Sequence, residues 1–244
     1  MNLVIDVGNT LVKLAIFEDN SLIFKTVVKL SDTVNEVEYC ITIFPQLNKA
    51  IVSSVGRLEK SQIKAIRKQI ELLELTHKTK LPFKNKYDTP KTLGIDRIAL
   101  VAASVYHYPN VNALIIDAGT CITYDFVTDK NHYLGGAISP GIKMRYQAMH
   151  NFTANLPFLE TEMPKHVIGA STNNSMHSGV VNGVVNEIDG FISSYLNQFP
   201  DLTVILTGGD ADFLSEQLKS SIFANSNFLL EGLNFILKFN SNEC

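Results

Sequence analysis

Leu3-Val4-Ile5-Asp6-Val7-Gly8-Asn9-Thr10, followed at once by Leu11-Val12-Lys13-Leu14-Ala15-Ile16-Phe17, sets a carboxylate, a glycine, an amide and a hydroxyl between two apolar, β-prone runs. The pattern predicts a β-hairpin whose tight turn faces its backbone N–H groups outward. Such a turn can hold an anion. Gly8 lets backbone approach a phosphate, Asn9 and Thr10 can hydrogen-bond its oxygens, and Asp6 is placed to hold hydrated Mg²⁺, a hard cation that prefers oxygen ligands. A plain hairpin with turn residues at Gly8 and Asn9 would use the same letters.

The pattern recurs. Leu114-Ile115-Ile116-Asp117-Ala118-Gly119-Thr120-Cys121-Ile122-Thr123-Tyr124 repeats the apolar triplet, Asp, small residue, Gly, Thr and second strand, with one residue fewer in the turn. Repetition at this distance predicts a duplicated α/β architecture: two related halves, residues 1–108 and 109–244, each opening with a β-hairpin and facing the other across a nucleotide cleft.

Hydrophobic residues make up 45% of the 244 and charged residues 18%, so the chain can bury a substantial core. A net charge of −3 gives no electrostatic case for nucleic acid or an anionic membrane. Cys40, Cys121 and Cys244 show no paired spacing, which fits a reducing cytoplasm rather than a disulfide framework. The six histidines form no zinc-ligand pattern, and no signal peptide or membrane-spanning run is read from the sequence.

After the first hairpin, residues 22–28 read as a third strand, residues 31–48 as partly helical, and residues 50–55 as a buried strand ending at Gly56. Ile63, Ile66, Ile70 and Leu73 stand at helical spacing and predict a helix over residues 60–75. Residues 76–93 read as irregular with a short strand. Ile95, Ile98, Ala99, Ala102 and Val105 predict a helix stopped by Pro109, with Asp96 and Arg97 in its first turn. An acid there complements the helix dipole; it could equally be presented at a cleft edge. In the second half, residues 132–141 read as a strand and a glycine-rich turn. Gly179 and Gly183 read as a close helix-packing pair, after a Ser171–Thr172 cap that could also touch a ligand. Residues 202–206 form a strand broken by Thr207-Gly208-Gly209-Asp210, and residues 228–237 read as strand, turn and helix.

Neither G-x-x-x-x-G-K-[ST] nor G-x-G-x-x-G is present, so any phosphate chemistry uses a different cradle. Asp6 to Thr10 with Lys13, Gly94-Ile95-Asp96-Arg97 behind Tyr87, Asp117-Ala118-Gly119-Thr120, Gly135-Gly136-x-Ile138-x-Pro140-Gly141, Thr153-Ala154-x-Leu156-Pro157, Thr172 and Thr207-Gly208-Gly209-Asp210 together resemble the ordered motif set of type III pantothenate kinases. The resemblance covers nearly the whole chain. It implies the duplicated actin-like ATPase fold, related to ribonuclease H, and transfer of the ATP γ-phosphate to the primary hydroxyl of pantothenate, the first step toward coenzyme A.

Carried over by position, the resemblance implies that Asp6, Val7, Gly8, Asn9, Thr10, Leu11, Val12 and Lys13 form the ATP phosphate loop, with Thr120 a further ATP contact. Asp96 is the general base. Tyr87, Gly94, Ile95, Asp96, Arg97 and Thr172 bind pantothenate, and Asp117 holds a monovalent cation, K⁺ or NH₄⁺, besides the Mg²⁺ that Asp6 holds through the ATP phosphates. It also implies a cytoplasmic homodimer. Arg97 suits the pantothenate carboxylate by its planar guanidinium. Cys121 reads as a small packed residue. Another kinase or phosphatase of the superfamily would not need Tyr87 together with Gly94 to Arg97, and a non-catalytic relative would be expected to carry a damaged motif.

Overall fold

The computed structural model describes residues 1–8, 11–54 and 58–241. Asn9, Thr10 and Gly56, on which the sequence reading placed turn and strand-end roles, lie outside the described residues. The chain divides into two compact units: Met1–Pro109 with Asn131–Tyr133 and Asn227–Cys244, and Asn110–Lys130 with Leu134–Ser226. The C-terminal segment clusters with the first unit, whereas the sequence reading assigned it to the second half.

Unit 1 is built on a sheet of β1 (Asn2–Val7), β2 (Leu11–Glu18), β3 (Ser21–Lys29), β4 (Lys49–Ser54) and β5 (Glu71–Glu74), in the order β3-β2-β1-β4-β5. The hairpin forms as predicted: β1 and β2 pair antiparallel with Asp6 opposite Lys13, and the Gly8 amide donates to the Leu11 carbonyl at 3.1 Å. β1 also pairs parallel with β4, and β4 with β5, so β1 is central and buried along its length. Central parallel strands covered on both faces read as continuous apolar runs, as Leu3-Val4-Ile5 does. Helices α1 (Thr33–Ile43), α2 (Lys60–Arg67) and α3 (Ile95–His107) belong to this unit, as does the short strand β6 (Lys84–Asn85). The core gathers Leu3, Ile5, Leu14, Ile16, Val37 and Ile66.

Unit 2 repeats the opening move with β7 (Asn112–Ala118) and β8 (Cys121–Val127), antiparallel around a two-residue turn, Gly119-Thr120. β9 (His132–Pro140) follows; its first two residues pair with β6 within unit 1. Then come α4 (Ile142–Phe152), α5 (Thr172–His177), a π-helical turn Ser178–Asn182, α6 (Gly183–Leu196), β10 (Leu202–Thr207), α7 (Ala211–Ser215) and β11 (Phe223–Ala224). The sheet runs β11-β10-β7-β8-β9, with β10 parallel to β7. Its core gathers Leu114, Ile116, Tyr124, Tyr146, Val184 and Ile188. Among the described residues no helix is long and apolar enough to cross a membrane.

Four details depart from the sequence reading. The helix expected over residues 60–75 stops at Arg67, and residues 71–74 turn into the edge strand β5 paired with β4. Residues 132–140 are strand throughout: Gly136 is inside β9 because a Cβ there would overlap the Tyr124 carbonyl of β8. A Cβ added at Gly179 or Gly183 would meet nothing within 4 Å among the described residues, so the two are not a close-packing pair within the chain. The tail is one helix, α8 (Phe228–Asn240), packed on α3 within unit 1, and Gly232 is its contact point with Ala99 rather than a turn.

A side chain at Gly232 would meet the Ala99 carbonyl and the Ala103 methyl, so Gly232→Val is expected to lower the urea-unfolding free energy by about 1–3 kcal/mol. Gly190 sits inside α6 with nothing within 4 Å of an added Cβ. There Gly190→Ala should raise it by about 0.5–1 kcal/mol, because helix propensity alone acts.

Candidate active site

In unit 1 the hairpin turn and the start of α3 supply the predicted residues. Asp6 is the last but one residue of β1 and is only 9% exposed, while Lys13, opposite it on β2, is exposed. Val7 and Val12 are buried, and Leu11 stands exposed at the start of β2. Burial pushes the Asp6 carboxyl up to about 6; the positive field of Lys13 opposes the shift and the negative field of Asp96 adds to it. Asp6 and Asp96 are therefore brought within electrostatic reach of each other by the fold, although 90 positions separate them in the chain.

Asp96 lies in the first turn of α3, half-buried, and its Oδ1 accepts the Arg97 backbone N–H at 2.8 Å. Asp96 thus sits where the helix-start reading puts it, in the first turn of α3. Gly94 is the residue before the helix, and a Cβ there would overlap the Asp96 carboxylate. Ile95 opens the helix. Arg97 is buried, with its guanidinium 5.8 Å from the centre of the Tyr87 ring. Tyr87 in turn stacks on Tyr133 at 6.0 Å between centroids. The sequence reading missed Tyr133: nothing local marks residue 133 as the floor beneath residue 87.

In unit 2, Asp117 is the last but one residue of β7, before the Gly119-Thr120 turn, and Thr120 is exposed. Three backbone contacts hold this turn. Gly119 donates to the Cys121 carbonyl at 3.0 Å, Gly141 to the Thr120 carbonyl at 3.0 Å, and Asp210 to the Ala118 carbonyl at 2.9 Å. Gly208 adopts φ +99° and lies so close to Ala118 and the Asp117 carboxylate that a side chain would overlap both. The paired glycines after β10 thus leave bare backbone beside Asp117. Burial raises the Asp210 carboxyl, with Lys143 opposing.

Thr172 is exposed as the first residue of α5; Ser171 caps the helix by accepting the Asn174 N–H at 3.3 Å. It lines an open cavity of about 750 Å³ in unit 2 together with Met149, Leu156 and Gly169. Among the described residues no group of three or more His, Cys, Asp or Glu side chains could by itself hold a metal ion.

The family model for type III pantothenate kinase matches residues 2–194. A type III pantothenate kinase from Christiangramia forsetii is 54% identical over 243 residues, covering 100% of each chain. The chain belongs to the type III pantothenate kinase family. A family member from Flavobacterium johnsoniae is 50% identical over 233 residues, 96% of each chain. Among solved structures, a Campylobacter jejuni protein assigned to the Baf family of transcriptional activators aligns at TM-score 0.67 and 21% identity, over 98% of this chain and 99% of its own. A glucokinase from an Antarctic psychrotroph aligns at TM-score 0.53 and 11% identity, over 98% of each chain. At these identities the structures show the fold, the actin-like ATPase arrangement shared with sugar kinases.

The burial of Asp6 makes stability depend on pH in a definite direction. Unfolded, the group titrates near 3.8; folded, near 6. Between these values the native state holds the extra proton, so stability falls as pH rises from about 4 to 6 and the loss is complete above that range. Without ligand or metal, Asp6→Asn should therefore be more stable than the parent chain near pH 8, by up to about 3 kcal/mol. That advantage should vanish in thermal melts recorded below about pH 4.

Proposed function

We propose that the chain transfers the γ-phosphate of ATP to the primary hydroxyl of pantothenate, giving 4'-phosphopantothenate, with Asp96 as the base. The observation that carries the assignment of roles is the position of Asp96. It stands at the start of a helix, within the field of Asp6 on the hairpin, and next to a buried Arg97. Phosphoryl transfer asks for little covalent chemistry: aligned phosphates, neutralisation of the developing charge, and a group that takes the acceptor's proton.

In this reading Asp6 to Lys13 wrap the ATP phosphates, with Asn9 and Thr10 included, and Thr120 is a further nucleotide contact. Lys13, exposed across from Asp6, offers positive charge to the phosphates. Arg97, held against Tyr87, pairs with the pantothenate carboxylate and so fixes the far end of the substrate; Tyr87, Gly94, Ile95 and Thr172 complete its contacts. Asp96 accepts the hydroxyl proton as that oxygen forms its bond to the γ-phosphorus and the bond to the ADP oxygen breaks. Mg²⁺, held by the phosphates and Asp6, would neutralise charge on the transferring group. Asp117 would hold K⁺ or NH₄⁺ through its carboxylate oxygens, which lie beside the bare Gly208 backbone.

We place the working protein in the cytoplasm as a homodimer. Phe152 is 88% exposed and Ile168 86%, and Val167 and Ile138 are also mostly in solvent, which supports a second copy covering apolar surface of unit 2. Sedimentation should give a particle of twice the chain mass.

ADP release should depend on pantothenate, require K⁺ or NH₄⁺ in place of Na⁺, and fall about 100- to 10,000-fold in Asp96→Asn while ATP still binds. ATP binding without pantothenate-dependent turnover would overturn the assignment.

A further inference from the structure

Behind the Thr120 turn, within unit 2, one carboxylate gathers three other side chains. Glu187 of α6 accepts hydrogen bonds from the Tyr124 hydroxyl of β8 at 3.0 Å, from the Ser139 hydroxyl of β9, and from Arg145 Nη2 of α4 at 2.6 Å. Arg145 also donates through Nη2 to Ser139 Oγ at 3.1 Å and through Nε to the Pro140 carbonyl at 2.9 Å. Burial alone would raise the Glu187 carboxyl, but bonds from Arg145, Ser139 and Tyr124 outweigh it and hold it below its ordinary value. Tyr124, fully buried, is kept protonated by its burial and by the adjacent carboxylate.

The network does not end at Glu187. Its grip on Ser139 and Pro140 fixes the residue that follows, Gly141, which donates to the Thr120 carbonyl and lies so close to Gly119 and Thr120 that a Cβ would overlap both carbonyls. Tyr124 lies on the strand that leaves the same turn. The turn is thus held from both sides by groups that meet on one carboxylate, and a shift of the Ser139–Gly141 segment must displace Thr120. A partly buried ion pair is a poor source of stability compared with apolar side chains of the same volume; what it supplies is a fixed geometry.

We propose that Glu187 and Arg145 are positioning residues for the Thr120 turn and set how tightly that turn holds the nucleotide. The inference rests on reading Thr120 as a nucleotide contact. Neither residue touches ATP; they act through Ser139, Pro140 and Gly141.

The test is ATP affinity, measured by titration calorimetry with Mg²⁺ and K⁺ on the full chain, alongside KM for ATP and for pantothenate and a thermal melt. Glu187→Gln and Arg145→Lys should each raise the ATP Kd and KM about tenfold, the scale seen when an orienting outer partner is lost, and leave KM for pantothenate within about twofold. Glu231→Gln, which breaks the 2.7 Å pair with His107 in unit 1, controls for lost stability and should leave ATP affinity unchanged. Folded Glu187 and Arg145 variants with parental ATP affinity would overturn the proposal. Should Glu187→Gln fail to fold, Ser139→Ala decides: it removes both bonds of the Ser139 hydroxyl, to Glu187 and from Arg145, and keeps the ion pair, and an unchanged Kd would count against the proposal. If Thr120→Ala binds ATP as the parent does, the reading beneath the inference falls and the inference with it. A parent chain that binds ATP but does not phosphorylate pantothenate would overturn the reaction alone, because the affinity comparison stands without turnover.

Discussion

Backbone pressed on backbone is the constraint on which the second unit depends. The Gly119-Thr120 turn is flanked by Gly141 on one side and Gly208 on the other, each so near that a single methyl group would force the strands apart. A turn held in this way keeps its shape without side chains of its own, so its free surface can face a ligand. Gly136, crossing the Tyr124 carbonyl one strand away, extends the same principle into β9. The glycines here are spacers between strands rather than hinges.

The first unit reaches a related end by different means. Its hairpin is longer by one residue, and its strand β1 is buried along its length between β2 and β4. The conserved theme between the two units is therefore the antiparallel pair with an aspartate near the end of its first strand: Asp6 on β1 and Asp117 on β7. The means of support differ, since the described part of the first turn is held by the Gly8 to Leu11 bond and the second by glycines from distant segments.

What could be read from the sequence was what is local. Both hairpins, the helix carrying Asp96 and the Ser171 cap are written in runs of a few residues, and each forms where the pattern puts it. The misreadings share one physical cause. Ile70 and Leu73 continue the spacing of α2, but residues 71–74 gain a strand partner in β4, and a four-residue edge strand is too short to show alternation. Gly232 looks like a turn because its reason for being glycine, Ala99, lies far off in the chain. Gly179 and Gly183 look like a packing pair because spacing cannot say whether a neighbour is present. Tyr133 beneath Tyr87, and Glu187 among Tyr124, Ser139 and Arg145, gave no signal at all: their partners are 42 to 63 residues away from Glu187 and 46 from Tyr87, and no periodicity links positions on separate elements.

Asp6 shows why a site of this kind is not built for stability. A carboxylate at the end of a buried central strand would be more comfortable protonated or replaced by an amide, and the lone exposed Lys13 opposite does not undo the effect of burial. Asp96 close by makes matters worse for the free protein, because two acids repel in a poorly solvated place. A cation placed beside the two carboxylates would offset both disadvantages, since charge that is costly to bury would then have a partner of opposite sign at short range. The central strand is what allows the first unit to tolerate this cost: β1 is fixed by hydrogen bonds to neighbours on both edges, so Asp6 cannot move out to solvent without breaking the sheet.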